Sequence, residues 1–248
     1  MGLSGNLLAL RHQQRYLKND LNRIWTEIDF ELANSISEPI EHPDHFQLKT
    51  LNSTIDHYLG LGYDEVCIID LHTTSANGGV FIACPDDESH KKMIKRLHVP
   101  VILDLADDLK GTAMQHFWDK GIISFAFEGG NHNSPDSVDR IESAIWLCLE
   151  YMGCIDRHEF DNVEYHDLRL IHATDELPHF CKLIKHHYIN ENDEFVMEPG
   201  FSNFQKVKKG TLLAHDKNGP IYCNEDCYIL MPLYQKQGSD GFFLIKQL

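Results

Sequence analysis

No stretch of this 248-residue chain approaches the roughly 20 consecutive apolar residues that a membrane helix needs. Met1-Gly2-Leu3-Ser4-Gly5 also opens without the basic and apolar blocks of a secretion signal, so a cytoplasmic protein with no membrane partner is expected. Positive charge is scarce: 22 Lys and Arg stand against 38 Asp and Glu, a formal charge of −16. Phosphate backbones are held by dense Lys and Arg, so this balance argues against nucleic acid as a partner. Several catalytic signatures are missing as well. The chain has no Gly-x-Ser-x-Gly elbow to strain a nucleophilic serine, no Gly-x-Gly-x-x-Gly dinucleotide loop and no Gly-x-x-x-x-Gly-Lys phosphate cradle. Internal repeats and low-complexity linkers are absent too.

The seven cysteines are odd in number and mostly far apart, several of them inside apolar runs, which reads as reduced core thiols. Cys223 and Cys227 form the one close pair. Their three-residue gap has no matching second Cys/His pair, so a four-ligand structural zinc is not the reading there.

What is present supports a packed core: 42% of residues are hydrophobic and 24% charged, which excludes a disordered chain. Val66–Leu71, Gly79–Cys84, Val99–Leu103 and Ile122–Phe127 are short, continuous apolar runs of strand type. Strands this apolar are covered on both faces, which predicts an α/β fold with a mixed, mostly parallel sheet flanked by helices. His45–Leu59 has apolar residues near helical spacing and stops at Gly60 and Gly62. Ser134-Pro135-Asp136 supplies an N-cap, a first-turn proline and a first-turn acid, and Ile141, Ala144, Ile145, Cys148 and Tyr151 then mark one helical face. Beyond about residue 158 short β-prone runs alternate with turn residues: Leu168–Ile171, Thr211–Ala214, Tyr228–Met231 and Gly241–Ile245. The expected division is a catalytic sheet domain over 1–157 and a smaller β-rich domain over 158–248.

Candidate chemistry lies where strands run out. His72, in Asp70-Leu71-His72-Thr73-Thr74, follows an apolar strand into a Ser/Asn/Gly loop and is a candidate metal ligand, with Asp70 two residues earlier on the same strand face to orient it. Its bland reading is a hydrogen-bonded loop histidine. Glu128, before Gly129-Gly130, is a carboxylate at a strand end where backbone can close around a substrate, and so a candidate general base. The alternative is a solvated loop glutamate. Asn22-Arg23, in Asp20-Leu21-Asn22-Arg23, puts an amide beside a guanidinium able to grip a carboxylate, and is equally a capping and salt-bridge segment.

Four segments in order resemble the succinylglutamate desuccinylase and aspartoacylase family, relatives of the zinc carboxypeptidases. They are Gly5-Asn6 with Ala9-Leu10, Arg15-Tyr16 leading to Asp20–Arg23, Asp70–Thr74, and Glu128-Gly129. The resemblance spans about residues 5–150 and continues weakly beyond. It implies a zinc carboxypeptidase-like fold in which His72 is a zinc ligand, Glu128 activates the metal-bound water, Asn22 and Arg23 hold the substrate carboxylate, and Tyr234 reaches the site from the C-terminal part. The implied reaction is hydrolysis of an N-acyl amino acid, with one Zn2+ lowering the pKa of its water toward about 7.

Two departures stand out. The family's other two zinc ligands come from a His-x-x-Glu motif upstream of the Asn-Arg pair, yet only 21 residues precede Asn22 and none of the 16 histidines has Glu three positions on. His116, His158 and His172 have Asp there, but all lie downstream. The expectation is therefore of a chain lacking its N-terminal strands, with two ligands in the missing segment. Leu7-Leu8 also stands where aspartoacylase-like members carry Pro-Arg, which argues against aspartate-type specificity. A non-catalytic remnant or small-carboxylate-binding protein is the alternative.

Overall fold

The computed structural model describes residues 1–158, 162–190 and 192–248. Helices α1 (Leu7–Arg11), α2 (Glu27–Ser35) and α3 (Pro43–Leu59) precede strand β1 (Cys67–Thr74). Strand β2 (Phe81–Ala83), helix α4 (Glu88–Ile94) and strand β3 (Val101–Leu103) follow, then α5 (Leu105–Asp108), α6 (Ala113–Asp119), β4 (Ile123–Asn131), α7 (Pro135–Tyr151) and α8 (Val163–Thr174). The rest is strand: β5 (Phe180–Tyr188), β6 (Val196–Met197), β7 (Gln205–Val207), β8 (Leu212–Asp216), β9 (Gly219–Tyr222), β10 (Cys227–Leu230) and β11 (Asp240–Gln247). No helix of the described residues is long and apolar enough to cross a membrane.

The fold is mixed α/β, as the sequence pattern predicts. One sheet of eight strands runs in the order β1-β4-β2-β3-β5-β11-β10-β7, and β6-β8-β9 form a second. Parallel pairs β2–β3 and β3–β5 occupy the middle of the large sheet, while β2–β4, β5–β11, β10–β11 and β7–β10 are antiparallel. The four apolar runs correspond to β1 to β4. Pro43 opens α3 and Pro135 opens α7, each at the position where a missing N–H costs nothing.

Leu168–Ile171, expected as strand, lies instead in α8. The buried residues there are Val163, His166, Leu170 and Thr174, three and four apart, so a helical stripe overrides the local β preference of Leu and Ile. The chain forms two compact units, Met1–Ile68 with Leu109–Ser124 and Ile69–Asp108 with Phe125–Leu248. This partition differs from a cut at 157/158, because β5 pairs directly with β3 and carries the C-terminal strands into the sheet begun by β1 to β4. None of the seven cysteines is in a disulfide among the described residues.

The first unit has its own core of Ile24, Trp25, Ala33, Leu48 and Phe117, backed by Leu51, Ile55 and Leu59 from α3. Asp44, in the first turn of α3 and fully buried, ties the N-terminal segment to it. Its carboxylate accepts from the backbone N–H groups of Leu17, Lys18 and Asn19 at 3.1, 2.7 and 2.9 Å and from the Asn6 amide. Burial alone would raise the Asp44 pKa, but these four donors favour the anion and hold it below the ordinary carboxylate value of 3.8. A folded pKa that is depressed contributes stability fully present above 3.8 and lost as pH falls through the lower folded value.

Asp44→Asn should therefore cost about 2–4 kcal/mol near neutral pH, because an amide presents an N–H to backbone donors that need an acceptor. Denaturant unfolding of both proteins from pH 7 downward checks this: the gap should shrink below about pH 4 as the native carboxylate is protonated. A gap that stays constant would show that the charge plays no part.

Candidate active site

In the first unit Asn22 and Arg23 sit on a 3-10 turn, Leu21–Arg23, capped by Asp20, whose side chain accepts from the Asn22 N–H at 3.1 Å. Arg15 Nε pairs with Asp20 at 2.8 Å. The Asn22 side-chain oxygen accepts from the Ala113 N–H at 3.0 Å, at the first residue of α6, and Arg23 donates to the Asn22 carbonyl at 2.6 Å. The next backbone step is as constrained: the Trp25 N–H donates to the Gly111 carbonyl at 3.1 Å. Gly111 has φ +68°, and a Cβ there would stand 2.3 Å from the Arg23 carbonyl oxygen, so only glycine fits. The capping and salt-bridge geometry weighed for this segment is thus real, and it fixes where Asn22 and Arg23 stand.

In the second unit His72 and Asp70 are in contact on β1, Nε2 to Oδ2 at 2.8 Å, each side chain about one quarter exposed (26% and 25%). Side chains two apart on a strand share a face, which is why the sequence spacing delivers this contact. Glu128 is partly buried on β4, the strand beside β1 in the sheet, and is in register with Phe81 of β2.

Tyr234 reaches the end of β1 through its backbone, its N–H donating to Ser75 Oγ at 3.0 Å. Its phenol donates to the Glu198 carbonyl at 2.8 Å and accepts from the Phe201 N–H at 2.9 Å. Burial raises the phenol pKa above its ordinary value, the Phe201 N–H opposes this, and Glu198 adds to it. The tyrosine is thereby a brace for the 198–201 backbone.

Two residues not singled out by sequence reasoning complete this end of the sheet. His132 joins Thr73 (Oγ1 to Nδ1, 2.7 Å) to Gln235 (Oε1 to Nε2, 3.0 Å), and its position four residues after Glu128 was the available signal. Asn203 joins Thr74 to Met231. His116, one of the histidines with Asp three positions on, packs against Trp25, Phe30 and Phe117, with ring centroids 5.5, 4.7 and 5.0 Å away. Burial pushes its pKa down to about 4, which marks a neutral core imidazole.

The succinylglutamate desuccinylase/aspartoacylase catalytic-domain family model matches residues 1–141. No curated protein sequence matches the chain. Among solved structures, murine aminoacylase 3 is 15% identical with a TM-score of 0.63, the match covering 100% of this chain and 83% of that one. A succinylglutamate desuccinylase from Vibrio parahaemolyticus is 15% identical with a TM-score of 0.61 over 99% of this chain and 70% of that one. The ectoine utilization protein EutE from Ruegeria pomeroyi gives 15%, 0.59, 98% and 73%. At such identities the likeness speaks for the fold.

The zinc implied by the sequence resemblance was tested against the donors present. A catalytic zinc takes three protein ligands, and among the described residues no group of three or more His, Cys, Asp or Glu side chains converges to hold a metal. His72 Nε2 is engaged by Asp70, so an ion would have to take Nδ1 or displace that carboxylate. The described donor set does not fit a three-ligand zinc. We expect this 248-residue chain, dialysed and analysed by plasma mass spectrometry, to retain well under one zinc per molecule. Stoichiometric zinc surviving dialysis, and lost in His72→Ala, would overturn that expectation.

Proposed function

This chain belongs to the succinylglutamate desuccinylase/aspartoacylase family, and we propose that it hydrolyses the amide bond of an N-acyl amino acid. The observation that carries the reading is the end of β1, where the His72–Asp70 pair, the neighbouring β4 with Glu128, and the segment bearing Tyr234 come together in one unit. In this reading Glu128 takes the proton of the attacking water and passes it to the leaving amine. Asn22 and Arg23 hold the substrate carboxylate with an amide and a planar fork of donors. Residues 1–157 carry the chemistry and 158–248 shape the entrance, through the loop of Tyr234. His72 is the metal-ligand position by family correspondence.

A second reading is a protein that binds small carboxylates without turning them over, because no three metal-ligand side chains converge among the described residues. Assay of a panel of N-acyl amino acids, with and without added zinc, separates the two. Carboxylate binding that depends on Arg23, with no turnover in either condition, decides for the binder.

Two substitutions test the roles. Glu128→Gln keeps the volume and removes the base, so turnover should fall by about two to four orders of magnitude while N-acyl amino acid binding persists. Full activity in this variant would remove Glu128 from the mechanism. Arg23→Lys keeps the charge and breaks the two-point grip, so kcat/KM for N-acyl amino acids should fall at least about tenfold, near 1.4 kcal/mol, while the substrate's neutral amide analogue loses little. Equal losses for acid and amide would assign Arg23 to the fold.

A further inference from the structure

A cleft of about 610 Å3 in the second unit shares Asn203 with the end of the sheet described above but none of the residues proposed for catalysis or substrate binding. The loop after β1 (Asn77 to Gly79), the end of β4, α7 and the C-terminal end of α8 line it. Its one guanidinium is that of Arg140, on the second turn of α7. Arg140 comes close because β4 ends in bare backbone: Gly130 has φ +121°, and a Cβ there would stand 3.0 Å from Arg140 Nη1 and 2.9 Å from Ser137 Oγ. Arg140 is about three-quarters buried (side chain 23% exposed), yet its one ion-pair contact among the described residues is a 3.9 Å approach to Asp136, itself 69% exposed. A pair so long and so solvated contributes little. A planar five-donor group is thus held in a concavity with most of its capacity for a carboxylate unspent.

The opposite charge stands on the wall formed by α8 and its exit. Asp175 and Glu176 line the cleft, both exposed, with His172 one helical turn before them. Ala173 and Leu177 give that wall an apolar component. A simple anion drawn to Arg140 meets two carboxylates in a protein already at −16, and a simple cation meets the guanidinium. A molecule carrying both charges satisfies each pole. We propose that this cleft binds an α-amino acid as its zwitterion, carboxylate on Arg140 and ammonium on Asp175 and Glu176, with an uncharged side chain against Ala173 and Leu177. The proposal does not depend on the hydrolysis reading.

Titration calorimetry on the full 248-residue chain, with L-leucine as the probe, tests it. We expect saturable binding at one site in the millimolar range or tighter. 4-Methylpentanoate, which lacks the ammonium, and L-leucinamide, which lacks the carboxylate, should each displace leucine at least tenfold more weakly than leucine itself binds. Arg140→Gln and the double variant Asp175→Asn/Glu176→Gln should each weaken leucine at least tenfold, with circular dichroism reporting the fold. Should Arg140→Gln fail to fold, the exposed double variant and the two analogues still decide. His72→Ala should leave leucine binding intact. The proposal is overturned by absence of saturable leucine binding, by 4-methylpentanoate displacing leucine as tightly as leucine binds, by a folded Arg140→Gln that binds unchanged, or by binding lost in His72→Ala and kept in Arg140→Gln, which would place the amino acid in the catalytic site.

Discussion

The side chain of Asn203 is the constraint on which the working end of the second unit depends. It is 4% exposed and uses both ends of its amide, Nδ2 donating to Thr74 Oγ1 at 3.1 Å and Oδ1 accepting from the Met231 N–H at 2.7 Å. Its own N–H donates to the Asn77 carbonyl at 2.7 Å. One buried amide thereby holds the last residue of β1, the loop after it and the exit of β10 in a single arrangement. A buried polar group left half satisfied is costly, so the three segments are committed together. Gly78 completes the fit with φ +109°, since a Cβ there would lie 2.7 Å from the Asn203 carbonyl oxygen. The Ser75 hydroxyl that receives Tyr234 and the glycines that wall the cleft both hang from this staple.

Charge in this protein has to be followed residue by residue, because the total of −16 conceals how many carboxylates are already committed. Asp44 is consumed by backbone N–H groups. Asp167 sits with Arg96 and Arg157, whose guanidinium groups hold it below the usual carboxylate range against the upward push of burial, and Arg96 also pairs with Glu150 at 2.8 Å. That network ties α8 and α7 to the 3-10 turn at Lys95–Leu97. Arg96 is thus committed to structure, as Arg23 and Arg15 are partly committed in the first unit. Arg140 differs in being three-quarters buried with only a long contact to an exposed partner.

The sheet was legible where its strands are apolar on both faces. Val66–Leu71 and Ile122–Phe127 announce β1 and β4 because only one polar residue, Asp70 or Ser124, interrupts each run. β5 was not read, and the reason is chemical: it packs half-buried imidazole against phenylalanine where an aliphatic residue would be expected. His186 stacks on Phe243 with centroids 4.4 Å apart, and His187 on Phe242 at 4.9 Å with ring planes within 5°. Polar-looking letters therefore hide a core-facing strand. In α8 the local letters Leu-Arg-Leu-Ile suggested strand, and only the longer spacing of Val163, His166, Leu170 and Thr174 reveals the helix. The Asp70–His72 contact followed from a two-residue spacing and needed no tertiary information. Asn203 could not be found that way, because its three partners are remote in sequence and its own surroundings, Phe201-Ser202-Asn203-Phe204, read as an ordinary turn.

In the proposed reading Asn22 serves twice, and capping and substrate recognition look like rivals for one side chain. They draw on different atoms. The bond from the Ala113 N–H falls on Oδ1, the acceptor end of the amide, and so fixes which way the amide is turned. A carboxylate ligand needs the donor end, Nδ2, which that orientation sets opposite the cap. The Arg23 guanidinium is steadied in the same way by its bond to the Asn22 carbonyl. Capping here is a means of orientation: the backbone of α6 and the glycine at 111 hold an amide and a guanidinium at fixed attitudes.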